Sequence, residues 1–274
     1  MMRVGFIGLG SQGGPMARRI AEGGFETTLW ARRQASLDPF ADTPAKTAAT
    51  PSELAAASDL VCLCVVGDDD VREVLEGKTG VLAGLAEGGI VAIHSTVHPD
   101  TCREIARKAA AQGVSVLDAP VSGGGPAVEQ GTLLVMVGGD EDVLDRCRPV
   151  FETYADPIVH LGPLGAGQNT KILNNLLFSA NLGSAVSTLE LGEALGVARD
   201  KLVEVLNRGS ATSKAVGSIS MFGGTLDGLA PIAGALLQKD VRHAASLAAA
   251  AKAPEGAVFT AADAALEAMG HRRR

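Results

Sequence analysis

Three short runs in this 274-residue chain place residue types at spacings that can do chemistry. The first is Gly8-Leu9-Gly10-Ser11-Gln12-Gly13, a G-x-G-x-x-G directly after the apolar run Val4–Ile7 and directly before a helical stretch. In a strand–turn–helix setting each glycine has its own task. Gly8 permits the tight turn, Gly10 lets the backbone approach a pyrophosphate, and Gly13 lets helix and sheet pack closely. The helix N-terminus then offers free N–H groups and a partial positive charge to the phosphates. Dinucleotide binding is the expectation, against the alternative of an empty Rossmann-like turn.

The second run, Asp118-Ala119-Pro120-Val121-Ser122-Gly123-Gly124-Gly125, follows another β-rich stretch. Its successive N–H groups can converge as an anion nest, with the Ser122 hydroxyl as a further donor, which suits a carboxylate or phosphate. An ordinary flexible loop fits the same residues. The third run, Gly165-Ala166-Gly167-Gln168-Asn169-Thr170-Lys171-Ile172-Leu173-Asn174-Asn175, places Lys171 and Asn175 four apart, on one helical face. Ile172, Leu173, Leu176 and Leu177 are expected to bury the helix sides, turning the Lys–Asn face toward an interdomain cleft. A lysine partly desolvated there has its pKa pulled below about 10.4 and can give and take protons. A solvated surface lysine is the alternative.

A dinucleotide turn also predicts its cofactor. An NAD-preferring site normally ends its second strand with Asp or Glu about 20 residues past the glycines, to bind the ribose hydroxyls. Here that strand ends Leu29-Trp30-Ala31-Arg32-Arg33, with no carboxylate. Two guanidiniums stand where a 2′-phosphate would sit, so NADP is expected, with NAD possible. A pair of solvated surface arginines is the alternative.

Positioning these runs requires alternating strands and helices. Val4–Ile7, Thr27–Trp30, Leu60–Val66, Ile90–His94, Val114–Leu117 and Leu133–Val137 read as strands. Pro15–Ala21, Ser52–Ala57, Asp70–Glu76, Thr101–Ala111 and Glu141–Phe151 read as the helices between them. Right-handed crossovers make this an α/β Rossmann-like doubly wound parallel sheet. After about Leu164 strand signals stop. Gln168–Leu195 then runs at helical spacing without proline, roughly 40 Å of helix at 1.5 Å per residue. Helices at Asp200–Leu206, Ala233–Ala251 and Ala257–Ala268 follow. The expected domains are a dinucleotide-binding Rossmann domain over 1–164 and an all-α substrate and oligomerisation domain over 165–274, opened by a long interdomain helix.

Composition narrows the partners. Only 3% of residues are aromatic, which leaves few platforms for stacking single-stranded nucleic acid. The net charge of −7 offers no basic field to nucleic acid or anionic lipid. No apolar run approaches the ~20 residues of a membrane span, and the N-terminal MMRVGFIGLG is not a secretory leader, so a cytoplasmic protein is expected. Cys62, Cys64, Cys102 and Cys147 form neither a disulfide framework nor a metal-ligand pattern, and no metal is expected.

Taken in order, Gly8–Ala17, Ser95-Thr96 followed by Pro99, Asp118–Gly124, Gly165–Asn175 and Lys239-Asp240 resemble the β-hydroxyacid dehydrogenases. That family includes 3-hydroxyisobutyrate dehydrogenase and the glyoxylate, succinic semialdehyde and tartronate semialdehyde reductases, and the resemblance is also 6-phosphogluconate dehydrogenase-like. The resemblance covers nearly the whole chain. It implies a Rossmann domain plus an all-α domain, a homodimer or homotetramer, and a small carboxylate substrate. It assigns Lys171 as the catalytic acid/base, Asn175 as its partner, and Ser122, Gly123 and Gly124 as the substrate carboxylate site. Gly8, Leu9, Gly10, Ser11, Gln12, Gly13, Arg32, Arg33 and Val65 form the expected cofactor set, with Thr96 beside the nicotinamide and Lys239 reaching the cofactor from a later helix. The expected activity is hydride transfer between NADP and a small 3-hydroxy acid or its semialdehyde.

The chain departs from the family pattern at Gln12, commonly Met, at Ala31, often Asn, and at Ile93-His94, often Asp-Met. His94 is expected to be a hydrogen-bonded strand-end histidine. Two rival functions share the fold: an imine reductase, in which Asp or Tyr replaces the lysine, and a catalytically silent cofactor-binding scaffold.

Overall fold

The computed structural model describes residues 1–273, in two compact units: Met1–Lys171, and the remainder from Ile172. The first unit contains β1 (Val4–Ile7), α1 (Gly13–Glu22), β2 (Thr27–Trp30), β3 (Lys46–Thr47), α2 (Pro51–Ala56), β4 (Leu60–Leu63), α3 (Asp68–Leu75), β5 (Ile90–Ile93), α4 (Pro99–Ala110) and β6 (Ser115–Asp118). These six strands pair in parallel in the order β3-β2-β1-β4-β5-β6, the doubly wound order of dinucleotide-binding sheets. Parallel strands covered by helices on both faces must be apolar on both sides. Accordingly Val4, Phe6, Leu60, Cys62, Ile90 and Ala92 pack into one core, and Ile7, Val61, Leu63, Val91 and Ile93 into the other.

The chain continues through β7 (Val121–Ser122), α5 (Gly124–Glu129), β8 (Leu133–Val137), α6 (Glu141–Phe151) and β9 (Ala155–His160). Leu133–Val137, expected in the doubly wound sheet, instead centres a second, three-stranded sheet, antiparallel to β7 and parallel to β9. The sixth place in the main sheet goes to the two-residue β3 at its edge. β3 and β7 are too short for a period-2 signal, and β9 carries Pro157, which an edge strand tolerates because its outer N–H groups need no partner.

α7 (Ala166–Ala194) starts in the first unit. The second unit adds α8 (Arg199–Arg208), α9 (Lys214–Ser220), α10 (Ala230–Ala250) and α11 (Gly256–Ala268) around a core that includes Ile172, Leu176, Leu182, Leu189, Val241 and Phe259. Along α7, Ile172 and Leu176 are buried as expected, but Leu173 and Leu177 are exposed. Residues one apart on a helix point about 100° away from each other, and here the core covers the side that carries Ile172 and Leu176 but not the adjoining side that carries Leu173 and Leu177.

His94, at the end of β5, is fully enclosed. Its Nδ1–H donates to the Ala119 carbonyl (2.7 Å), the Tyr154 hydroxyl lies 3.2 Å from Nε2, and the Phe151 ring packs edge-on. Burial lowers its pKa to about 4, so the ring is neutral in the fold. The unfolded chain takes up a proton near pH 6.5 and the folded one only near 4. The His94 contribution to stability is therefore complete above pH 6.5 and lost as pH falls, by on the order of 3 kcal/mol at pH 4. His94→Leu should be less stable at pH 7, by about 1–3 kcal/mol for the orphaned carbonyl and hydroxyl. Urea unfolding should also show a smaller loss between pH 6.5 and 4 than in the parent; parallel pH curves would refute this role.

Candidate active site

The turn from β1 into α1 shows why its glycines differ. Gly8 has φ of +98°, and a Cβ there would land on the Cys64 carbonyl oxygen; one on Gly13 would land on the Gly8 carbonyl oxygen. These two are required by packing. Gly10 has nothing within 4 Å of its Cβ position, so its bareness serves no contact inside the protein. The first turn of α1 holds no acidic residue, and no side chain caps it; the Gly14 N–H donates to the Gly10 carbonyl (2.8 Å) and Pro15 has no N–H, so what the turn offers an incoming anion is chiefly the unneutralised positive end of the helix. A pocket of about 450 Å³ opens beside the turn, lined among others by Gly8, Gly10, Trp30, Arg32, Arg33 and Val65. Its size and lining suit the adenosine end of a dinucleotide.

Arg32 is not a bare cation. Its Nη2 lies 2.8 Å from Asp70 Oδ1 and 2.9 Å from Glu73 Oε2, both on α3. Nothing near Arg32 in the sequence announces these carboxylates. The pairs engage one nitrogen of the fork and leave Nε and Nη1 for a further anion. Arg33 has no ion-pair partner among the described residues. Cys64, beside the same pocket, has its thiol pushed up to about 12 by burial and stays protonated.

The Asp118–Gly125 run is an ordered strand-to-helix turn. Ser122 lies on β7 opposite Leu134, Gly123 (φ +139°) and Gly124 (φ +73°) take conformations that favour glycine, and α5 begins at Gly124. A Cβ on Gly125 would lie 3.3 Å from the Ser11 carbonyl oxygen, so the two glycine turns are neighbours. Thr96 follows β5. Beside it, Ser95 Oγ accepts from the Val65 N–H (2.8 Å), joining the ends of β4 and β5 at the pocket.

Asp118, at the end of β6 and wholly buried, fixes where α7 begins: Oδ1 accepts from the Gly165 N–H (2.7 Å) and Oδ2 from the Gln168 N–H (2.6 Å). Burial pushes its carboxyl above the usual range, and these backbone donors oppose that. Gly138 and Gly167 let the chains close in; a Cβ on Gly138 would strike Asp118 Oδ1, and one on Gly167 the Met136 carbonyl oxygen. Lys171 follows one turn later, and only 9% of it is exposed.

In the second unit, Asn175 Nδ2 donates to Asp240 Oδ2 (2.6 Å), and Lys239 Nζ lies 2.9 Å from Asp240 Oδ1. Asp240 is buried; it fixes the Asn175 amide by a hydrogen bond and meets Lys239 as an ion pair, with no hydrogen bond at Oδ1 among the described residues. Nothing beside Asp240 in the sequence marks this role, because its partner Asn175 lies 65 residues away. Among the described residues no three His, Cys, Asp or Glu side chains are grouped to hold a metal, and no helix is long and apolar enough to cross a membrane.

Fold and site together define an NAD(P)-binding oxidoreductase. The family model of the NAD-binding domain of 6-phosphogluconate dehydrogenase matches residues 3–162, and that of the NAD-binding region of NADP-dependent 3-hydroxyisobutyrate dehydrogenase matches 165–273. The chain belongs to the β-hydroxyacid dehydrogenase family. It is similar to the NAD-dependent L-serine dehydrogenase of Pseudomonas aeruginosa, at 34% identity over 77% of this chain and 70% of that one. A structure of Mycobacterium tuberculosis 3-hydroxyisobutyrate dehydrogenase with L-serine superposes with a TM-score of 0.85 at 28% identity, over 100% of this chain and 96% of that one. An imine reductase from Streptomyces aurantiacus shares the fold, with a TM-score of 0.68 at 21% identity over 97% and 98% of the two chains.

The contrast among the glycines is directly testable. Gly10→Val should fold with nearly unchanged stability and bind NADPH about tenfold more weakly or worse, about 1.4 kcal/mol. Gly13→Ala should lower stability itself, because its Cβ meets backbone. Trp30 is the sole tryptophan and lines the pocket, so quenching of its fluorescence reads binding. Unchanged NADPH affinity in Gly10→Val would place the pyrophosphate elsewhere.

Proposed function

We propose that the protein reduces a small semialdehyde to its 3-hydroxy acid, and runs the reverse oxidation, with NADP preferred and NAD accepted. The observation that carries this reading is Lys171, nearly buried one turn into a helix whose start Asp118 fixes within the same compact unit as the dinucleotide turn. Bound nicotinamide supplies or accepts the hydride at the carbon that bears oxygen. Lys171 moves the matching proton, giving it to the carbonyl oxygen in reduction and taking it from the hydroxyl in oxidation. The N–H groups and hydroxyl of Ser122–Gly124 hold the substrate carboxylate, so that the reacting carbon is oriented before reaction. The family resemblance assigns Asn175, four residues on along α7, to the substrate and Lys239 to the cofactor.

Support for the substrate class comes from the relatives. L-Serine and 3-hydroxyisobutyrate both carry a primary alcohol on the carbon next to the one that bears the carboxylate. The preference for NADP is supported by the free nitrogens of Arg32, by Arg33, and by a β2 end without a carboxylate. Lys171 argues against imine reduction, where a family lysine is replaced, and against a silent scaffold.

An assay crossing NADPH and NADH with glyoxylate, succinic semialdehyde, tartronate semialdehyde, methylmalonate semialdehyde and a cyclic imine tests all of this. Semialdehyde reduction with NADPH is expected, and Lys171→Met should cut kcat about 100-fold or more while Trp30 quenching by NADPH persists. Near-parental rates in that variant would remove the proton-transfer role. A clear NADH preference would overturn the assignment of Arg32 and Arg33.

The same helix supports a role for the second unit in assembly. Leu173, Leu177, Leu191 and Leu195 of α7 and the turn after it are more than half exposed, an apolar surface that a second copy would cover in a homodimer or homotetramer. Sedimentation equilibrium should give such an oligomer, and Leu173→Glu with Leu177→Glu should dissociate it; a parental monomer would refute the assignment.

A further inference from the structure

We propose that Gln168 is a positioning residue that holds the Thr96 loop and the Lys171 turn of α7 at a fixed separation; this rests on the roles given to Thr96 and Lys171 under the proposed function. Gln168 is wholly buried. Its Nε2 donates to the Ser95 carbonyl (2.8 Å) and its Oε1 accepts from the Val97 N–H (3.1 Å). One side chain thus grips the backbone on each side of Thr96. Its own backbone N–H is held by Asp118, so a single residue ties the ends of β5 and β6 to the first turn of α7.

The chemistry of the side chain suits this task. A primary carboxamide is neutral and carries a donor and an acceptor in one plane, so it can satisfy a C=O and an N–H together. Glutamate would set an anion against the Ser95 carbonyl, and methionine would leave both buried backbone groups without partners, at the cost such groups carry. Further anchors of the loop run to β4 and α3: the Ser95 N–H donates to the Leu63 carbonyl (3.2 Å), Ser95 Oγ accepts from the Val65 N–H, and the His98 N–H donates to Asp68 Oδ1 (2.9 Å). Gln168 connects the loop to the helix turn from which Lys171 projects, three residues and about 4.5 Å of helix rise farther on. Hydride transfer at the carbon and proton transfer at the oxygen need both sides of the substrate carbonyl placed together. A misplacement of about 1 Å can cost about 100-fold in rate.

Gln168→Met removes both loop bonds at similar side-chain length. The expected result is a fall in kcat of about 100-fold, with the substrate KM and the NADPH affinity read from Trp30 fluorescence each within about threefold of the parent. The primary isotope effect with 4-deuterated NADPH should rise, and the Val97 amide should exchange hydrogen faster in the substrate-free protein. Should that variant fail to fold, Gln168→Glu, which keeps the acceptor for Val97, carries the same comparison. A kcat within about threefold of the parent, a parallel loss of rate and NADPH affinity, or fast Val97 exchange in the parent would each overturn the proposal. A Lys171→Met variant with near-parental rates removes the underlying proton-transfer reading whatever Gln168 does. An inactive Lys171→Met beside an unaffected Gln168→Met removes only the positioning role.

Discussion

A carboxylate with no access to water is tolerated only where donors replace its hydration, and Asp118 is where this chain meets that demand. Its oxygens take the Gly165 and Gln168 N–H groups, and its backbone exchanges hydrogen bonds with Gly138 (3.1 and 2.8 Å). One residue therefore closes the parallel sheet, joins it to the three-stranded sheet, and sets the first turn of α7. Everything proposed to act on substrate within the first unit hangs from this point. The Ser122–Gly124 turn leaves from its C-terminal side, and Lys171 sits one turn past the helix start it caps. The glycines at 138 and 167 exist because backbone and carboxylate must come this close.

The electrostatics of the chain follow the same local logic. A protein of net charge −7 that takes an anionic cofactor and an anionic substrate cannot rely on its overall field. On the proposed function the local donors are the uncapped first turn of α1, the glycine turn at 123–124, and the guanidinium of Arg32. Arg32 is set by Asp70 and Glu73 through one nitrogen, which trades some positive potential for a defined orientation. In the second unit Asp240 holds Asn175 by a hydrogen bond and meets Lys239 as an ion pair.

Much of the fold was legible in the residues. β1, β2, β8 and α6 have the bounds their patterns predict, and α7 differs from its expected span by two residues at the start and one at the end. The strands that were not legible share a cause. β3, β7 and β9 are too short, or too broken by proline, to carry a periodic signal, so β8 was placed in the wrong sheet although its own bounds were right. The exposure of Leu173 and Leu177 was hidden for another reason, since an apolar helix in the sequence does not say which of its faces the rest of the unit covers.

Within the site, the glycine turns were readable because a tight turn or a close backbone approach is a local demand, written in the residue that meets it. The fold class was readable because burial on both faces of a parallel strand leaves a continuous apolar run. The partners of polar side chains were not. Asp118 finds its donors 47 and 50 residues on, Gln168 grips backbone 71 and 73 residues back, and Arg32 meets carboxylates 38 and 41 residues away. The sequence by itself determined which groups could do chemistry and the architecture that carries them. Only the tertiary structure decided which buried donor faces which acceptor, because that depends on where the strands and helices return, not on the residues beside each group.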